Sequence, residues 1–184
     1  SMDGTGIRTV SLQNFKIHAG GKTINFENVR ARIGLGGLKL WLDTGEELVI
    51  NARRNRNTSI AGSVNVATLL GEPDIEGLVN VEADLVFEEY GKPPVSGIID
   101  VSAPEFKAKG FKITGLVASG MLNQEQLDVD ELHVDFPLEL DSSGTVTLDW
   151  RRIMQSYFQF SGTMRMGERE KDFQREGELR DLFR

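Results

Sequence analysis

Apolar and polar residues alternate along most of this chain with a period of two, the spacing of β-strands whose two faces meet different surroundings. The longest such run extends from Leu127 to Leu140. Leu127 and Val129 alternate with Asp128 and Asp130, and then Leu132, Val134, Phe136, Leu138 and Leu140 alternate with His133, Asp135, Pro137 and Glu139. One face is apolar and the other acidic. The phase slips at Asp130–Glu131, where one extra residue separates the two halves, as a β-bulge requires. Pro137, which has no N–H to give to a ladder, predicts an edge or a bend.

Shorter runs predict further strands at Val10–Ile17, Thr23–Ile33, Leu38–Leu42, Glu47–Ala52, Ser59–Ala67, Leu78–Phe87, Val95–Val101, Phe106–Leu116, Gly144–Trp150 and Tyr157–Met166. Turn signals fall between them at Gly20-Gly21, Gly36-Gly37, Thr44-Gly45, Arg54–Asn57, Gly91–Pro94, Lys109-Gly110 and Asp141–Gly144. A spacing of roughly ten residues between turns predicts a meander of hairpins. Thr23–Ala31 and Gln126–Val134 share one layout, an alternating strand that shifts face at a polar pair, which strand physics produces as readily as a repeat does.

Helical signals are few. Val66–Leu70 fits a short turn, and Trp150–Ser156 fits a brief helix or a distorted strand. From Glu168 onward the chain is highly charged, with Phe173, Leu179, Leu182 and Phe183 as its large apolar residues and Glu176 four before Arg180. That spacing predicts an amphipathic helix broken by Gly177, with a charged tail as the alternative. The expected fold is therefore all-β: an antiparallel meander forming a curved or taco-like sheet or a sandwich, with a short C-terminal helix. Residues 1–6 read as a flexible N-terminus, 7–166 as a single β domain, and 167–184 as the helix or tail.

Size and charge narrow the function. A chain of 184 residues fits one domain, and 20 glycines imply many turns. The net charge of −7 speaks against nucleic acid as a partner, because phosphate backbones are held mostly by Lys and Arg. The absence of cysteine excludes disulfides, thiol catalysis and thiolate metal sites. There is no apolar run of the length a membrane-spanning helix needs and no signal-peptide order, so the chain as given is expected to be soluble. Ser1-Met2 reads as the remnant of an expression vector, with any membrane anchor or export signal of a longer parent removed.

Catalytic signals are missing. His18 and His133 lie far apart in sequence, each within a strand pattern, and read as solvated strand-face residues. Asp128, Asp130, Glu131 and Asp135 lack the loop that folds oxygens around calcium. Gly34-Leu35-Gly36-Gly37 has neither the Lys-Ser/Thr of a P-loop nor a dinucleotide fingerprint, and no nucleophile elbow occurs. The expectation is a protein that is not an enzyme and needs no cofactor or metal. Arg53, Arg54 and Arg56 form the densest basic spot, which reads as a solvated turn or as a contact for lipid headgroups. Asn57-Thr58-Ser59 is an acceptor pattern for glycosylation in a secretory setting.

The segments Val10–Ile17, Ile24–Ile33, Val95–Val101, Leu127–Val134 and Phe160–Met166 together resemble the strand grammar of the AsmA-like and TamB-like repeating-β-groove proteins of bacterial envelopes. In that grammar, strands of the form apolar-x-apolar-x-Asn/Asp-apolar alternate with apolar-Ser-Gly-x-apolar turns. The resemblance implies a long curved sheet with an apolar groove that shields lipid acyl chains between two membranes. It also implies a periplasmic location and a role in lipid transport or outer-membrane biogenesis, usually within a longer, anchored protein. A sheet with one apolar face must cover it with another layer, a helix or a ligand, and little helix is expected here. The candidate groove residues are Val81, Ala83, Leu85, Phe87, Phe111, Ile113, Leu127, Val129, Leu132, Val134 and Phe136, each of which also fits an ordinary core. Expected partners are a phospholipid or other amphiphile and envelope proteins recruited through strand edges. Two rival readings are an assembly module of a secretion or surface structure, and a carbohydrate-binding sandwich using Trp41, Tyr90, Trp150 and Tyr157.

Overall fold

Nearly every alternating segment pairs with the segment next to it in sequence, because short turns bring consecutive strands together before any distant pairing is reached. The computed structural model describes residues 8–19, 22–43, 47–65, 75–108 and 110–183. Its strands are β1 (Arg8–Ala19), β2 (Lys22–Gly34), β3 (Gly37–Asp43), β4 (Glu47–Arg53), β5 (Asn57–Asn65) and β6 (Ile75–Val86). They continue as β7 (Ser96–Ala108), β8 (Phe111–Asn123), β9 (Gln126–Val134), β10 (Glu139–Thr147), β11 (Tyr157–Met166) and β12 (Arg169–Glu178). All twelve form one antiparallel sheet in strict chain order, with β1 and β12 at its two open edges. The predicted turn at Val66–Leu70 and those at Gly20-Gly21 and Thr44-Gly45 lie outside the described residues.

Cross-strand partners share a face, so the register tracks the apolar surface from edge to edge. One row runs Leu12, Val29, Leu42, Leu48, Gly62, Val81, Val101, Ala118, Leu132, Ser142, Gly162, Phe173. The next runs Val10, Ala31, Leu40, Ile50, Ile60, Ala83, Ile99, Gly120, Val129, Gly144, Phe160, Arg175. A third, from Ile33 on β2 through Leu38, Ala52, Thr58, Leu85, Gly97, Leu122, Leu127 and Val146 to Phe158, lies beside it. One side of the sheet is thus predominantly apolar from β1 to β11, and we call it the inner face. The intervening positions, such as Arg30, Arg32, Glu82, Asp84, Asp100 and Asp128, fall on the outer face.

The inner face holds two dense patches. Phe26, Val29, Leu42, Leu48 and Val64 are buried together over β2–β5, and Val129, Val146 and Phe158 over β9–β11. Leu179 packs on the second patch from a 3-10 turn at Leu179–Phe183, whose first N–H donates to the Ser156 carbonyl at 2.9 Å. Between and around these patches the face is only half buried. The surface area of 12155 Å² exceeds the roughly 8,800 Å² expected of a compact monomer of 20.4 kDa.

Several expectations from the sequence need correction. The C-terminal amphipathic helix is instead the edge strand β12 followed by a 3-10 turn. Gly167, at φ 63°, closes a tight hairpin that sets β12 in register against all of β11, and ten ladder pairs outweigh weak helix propensity. Asp141–Gly144 is the middle of β10 and not a turn: it is flanked by β9 and β11, and the reversal lies at 135–138, where Pro137 bends the chain. The Leu127–Leu140 run therefore makes two strands. The Ser-Gly steps at Ser96-Gly97 and Ser161-Gly162 also lie within strands, and Phe106–Leu116 is divided between β7, which ends at Ala108, and β8, which begins at Phe111. The bulge at Asp130–Glu131 is present, for Val129 and Glu131 face the consecutive residues Gly120 and Ser119. At Trp150–Ser156 the chain forms a 3-10 turn over Ile153–Gln155.

Candidate functional site

The inner face is the largest surface on which the sequence's candidates converge. Val81, Ala83 and Leu85 of β6 align through β7 and β8 with Leu132, Val129 and Leu127 of β9, one in each row. Ala83 and Val129 are buried, whereas the other four are half exposed. Val134 lies opposite Leu140 at the end of β9. The remaining candidates stand apart. Phe87 follows β6 and stacks against Tyr90 at 5.6 Å. Ile113 and Phe111 lie at the start of β8, separated from Leu116 by a backbone break at Gly115, whose φ is 65°. Phe111 is 68% exposed. Phe136 sits in the β9–β10 loop, where its carbonyl accepts from the Thr114 N–H at 3.1 Å and the Asp135 N–H donates to the Thr114 carbonyl at 3.0 Å.

Toward β12 the inner face deepens into a hollow of about 270 Å³. Leu132, Leu140, Phe158, Phe160, Met164 and Phe173 form its apolar wall, and Leu138, Ser142 and Arg175 complete the lining. Phe158 and Phe160 meet as tilted rings 5.7 Å apart. The Ser142 hydroxyl is buried here without a hydrogen-bond partner. Sequence reasoning recognised β11 as a strand but did not count its inward residues toward the groove. It missed β12 altogether, since the density of charge concealed Phe173.

The arginine cluster occupies the β4–β5 turn, where Arg56 adopts φ 67°. Its guanidinium donates to the Glu88 carbonyl and the Tyr90 hydroxyl donates to the Arg53 carbonyl, so Arg56 ties this turn to the β6–β7 loop. Arg53 and Arg54 remain exposed. His133 lies on the outer face between Asp141, 2.6 Å from Nδ1, and Asp135, 2.9 Å from Nε2. Those hydrogen bonds, the Asp141 one foremost, raise its pKa above the ordinary value. His18 falls on β1 opposite Thr23. Asp128 accepts from Gln126 Nε2 at 2.5 Å, and among the described residues no three His, Asp or Glu side chains are grouped to hold a metal ion.

The aromatic residues considered for sugar stacking are dispersed. Trp41 stands on β3 beneath Lys39 and Arg30, with the cations 4.9 and 5.6 Å from its ring, while Tyr157 lies on β11. No family model, curated protein or solved structure matches this chain.

Proposed function

We propose that this chain is a non-enzymatic domain of the bacterial envelope whose inner face forms a curved, taco-like groove. The groove shelters the hydrocarbon of a phospholipid or other amphiphile during passage between membranes or during outer-membrane biogenesis. The observation that carries the reading is the apolar inner face, which runs from β1 to β11 and is left partly exposed. Hydrocarbon is the cover such a face favours, at about 0.8 kcal/mol for each buried CH₂. Glycines inside strands support curvature: at Gly62 and Gly144 a side chain would run into the backbone of the adjacent strand, and such kinks are how a broad sheet is bent. The AsmA-like and TamB-like texture of the strands supports the periplasmic setting and an anchored parent protein.

A second reading, assembly with envelope proteins through a strand edge, is favoured by β1. That edge carries Arg8, Lys16 and His18 and no acidic residue, whereas β12 is densely charged, a feature that discourages strand addition. The deciding experiment is native mass spectrometry and lipid extraction of protein purified without detergent, comparing wild type with Leu132→Asp, which places a carboxylate in the hollow's wall. Stoichiometric lipid in the wild type, lost from a folded Leu132→Asp, is the expected result. Wild-type protein that stays lipid-free when offered phospholipid overturns the groove and leaves the edge reading.

A further inference from the structure

Strand β12 sorts its charges by face. Arg169, Lys171, Phe173, Arg175 and Gly177 alternate with Glu170, Asp172, Gln174, Glu176 and Glu178. The register decides which set points where. Phe173 pairs with Gly162, Lys171 with Met164 and Arg175 with Phe160, so the basic set stands on the inner, apolar side and the acidic set on the outer. Three of the outer acids are engaged: Glu170 with Arg165, Glu176 with Gln159, and Glu178 with Arg180. The side chains of Arg169, Lys171 and Arg175 make no ion pair or hydrogen bond among the described residues, and all three are exposed. In a chain of net charge −7, Arg175 thus lines the apolar hollow without a counter-charge, and Lys171 and Arg169 continue along the same face of β12.

We infer that this cationic rim selects an anionic, single-chain amphiphile, a carboxylate of the fatty-acid type. Its chain lies in the hollow and its head group lies along Arg175, Lys171 and Arg169. The inference rests on the groove reading and adds the head-group chemistry. Arg169 and Lys171 are about 6.8 Å apart along the strand and Lys171 and Arg175 about 13.6 Å, with Phe173 between them, so the three cations form a rail about 20 Å long beside the hollow. The guanidinium of Arg175 presents a fork that matches a carboxylate with paired hydrogen bonds. A hollow of about 270 Å³ falls just below the range of sites for larger ligands, which suits one chain.

The test is displacement of a neutral apolar fluorophore, N-phenyl-1-naphthylamine, by dodecanoate and by 1-dodecanol at pH 8 and low salt. Wild type is expected to favour dodecanoate by roughly three- to tenfold, the scale of partly screened ion pairs, and the preference should shrink at high salt. The triple variant Arg169→Gln/Lys171→Gln/Arg175→Gln should bind both equally with its dodecanol affinity intact. Arg32→Gln, which removes one positive charge from the outer face, should keep the preference. No preference in the wild type, or a preference that survives in the triple variant, overturns the inference while leaving the groove standing. Should the triple variant lose dodecanol as well, Arg175→Gln alone decides: an unchanged ratio refutes the rim. Failure of wild type to take up dye, dodecanol and dodecanoate alike refutes the groove itself.

Discussion

Replacing Phe158 with alanine tests whether the inner face is a real core where it is densest. Phe158 is 1% exposed and packs with Val129 and Val146, with Leu127, Leu132, Leu148, Phe160 and Leu179 around it. Truncating a fully buried Phe costs about 3–5 kcal/mol, the sum of lost transfer energy and of a cavity that neighbours fill only in part. Here the neighbours are ladder-bound strands and a 3-10 turn pinned to Ser156, so little collapse is possible and the upper half of that range applies. With a urea slope of about 2–3 kcal/mol/M, the midpoint should fall by roughly 1.3–2.5 M. Urea denaturation in a Trp41→Phe background, where fluorescence reports Trp150 alone, reads this end of the sheet, and Ile98→Ala on the outer face, where Ile98 is 55% exposed, serves as the comparison at under about 0.5 kcal/mol. If Phe158→Ala and Ile98→Ala shift the midpoint equally, the inner face near β11 is not a packed core and the row analysis fails.

Further outcomes follow from the outer face and from the break in β8. Because Asp141 and Asp135 raise the pKa of His133, the fold favours the imidazolium; its stabilisation is complete below about 6.5 and is lost as pH rises through the higher folded-state value. An NMR titration of His133 should show that elevation, and Asp141→Asn should reduce it; a value at or below 6.5 in wild type contradicts the geometry. Gly115→Ala should destabilise by more than about 2 kcal/mol, since a left-handed backbone costs a side chain about 1–2 kcal/mol and the added methyl overlaps the Asp135 carboxylate. Adding Asp135→Ala should restore the part due to overlap, as thermal melts of the single and double variants would reveal.

How far the sequence could be read depended on whether local pattern and pairing agreed. Alternation from Val10 to Ile17 or from Leu38 to Leu42 marked strands because the apolar positions repeat on one face, and the extra residue at Asp130–Glu131 revealed the bulge for the same reason. The pattern misled where composition and register compete. Asp141–Gly144 has the residues of a turn, yet neighbours on both sides hold it as a strand. Arg169–Glu178 offered helix-like charge spacing and a single large apolar residue, so its period of two was written in charge and not in hydrophobicity. The rail of Arg169, Lys171 and Arg175 was legible only through that period. The hollow was not legible, since its wall comes from β9, β10, β11 and β12 together and only register brings Leu132 and Phe173 into one row.

The strict chain order of the strands also bears on how the molecule comes to be folded. Each strand waits only for the one that follows it, so the loop that must close for each new pairing is short and its entropic cost is small. Folding rate falls as partners become more distant along the chain, and a sheet of successive hairpins avoids the distant pairings that slow most β architectures. As the chain is synthesised, β1 and β2 can pair before β12 exists, each new hairpin finding its template already laid down. Of the described strands the charged one arrives after the other eleven, and until it docks the edge of β11 is open to any strand that meets it.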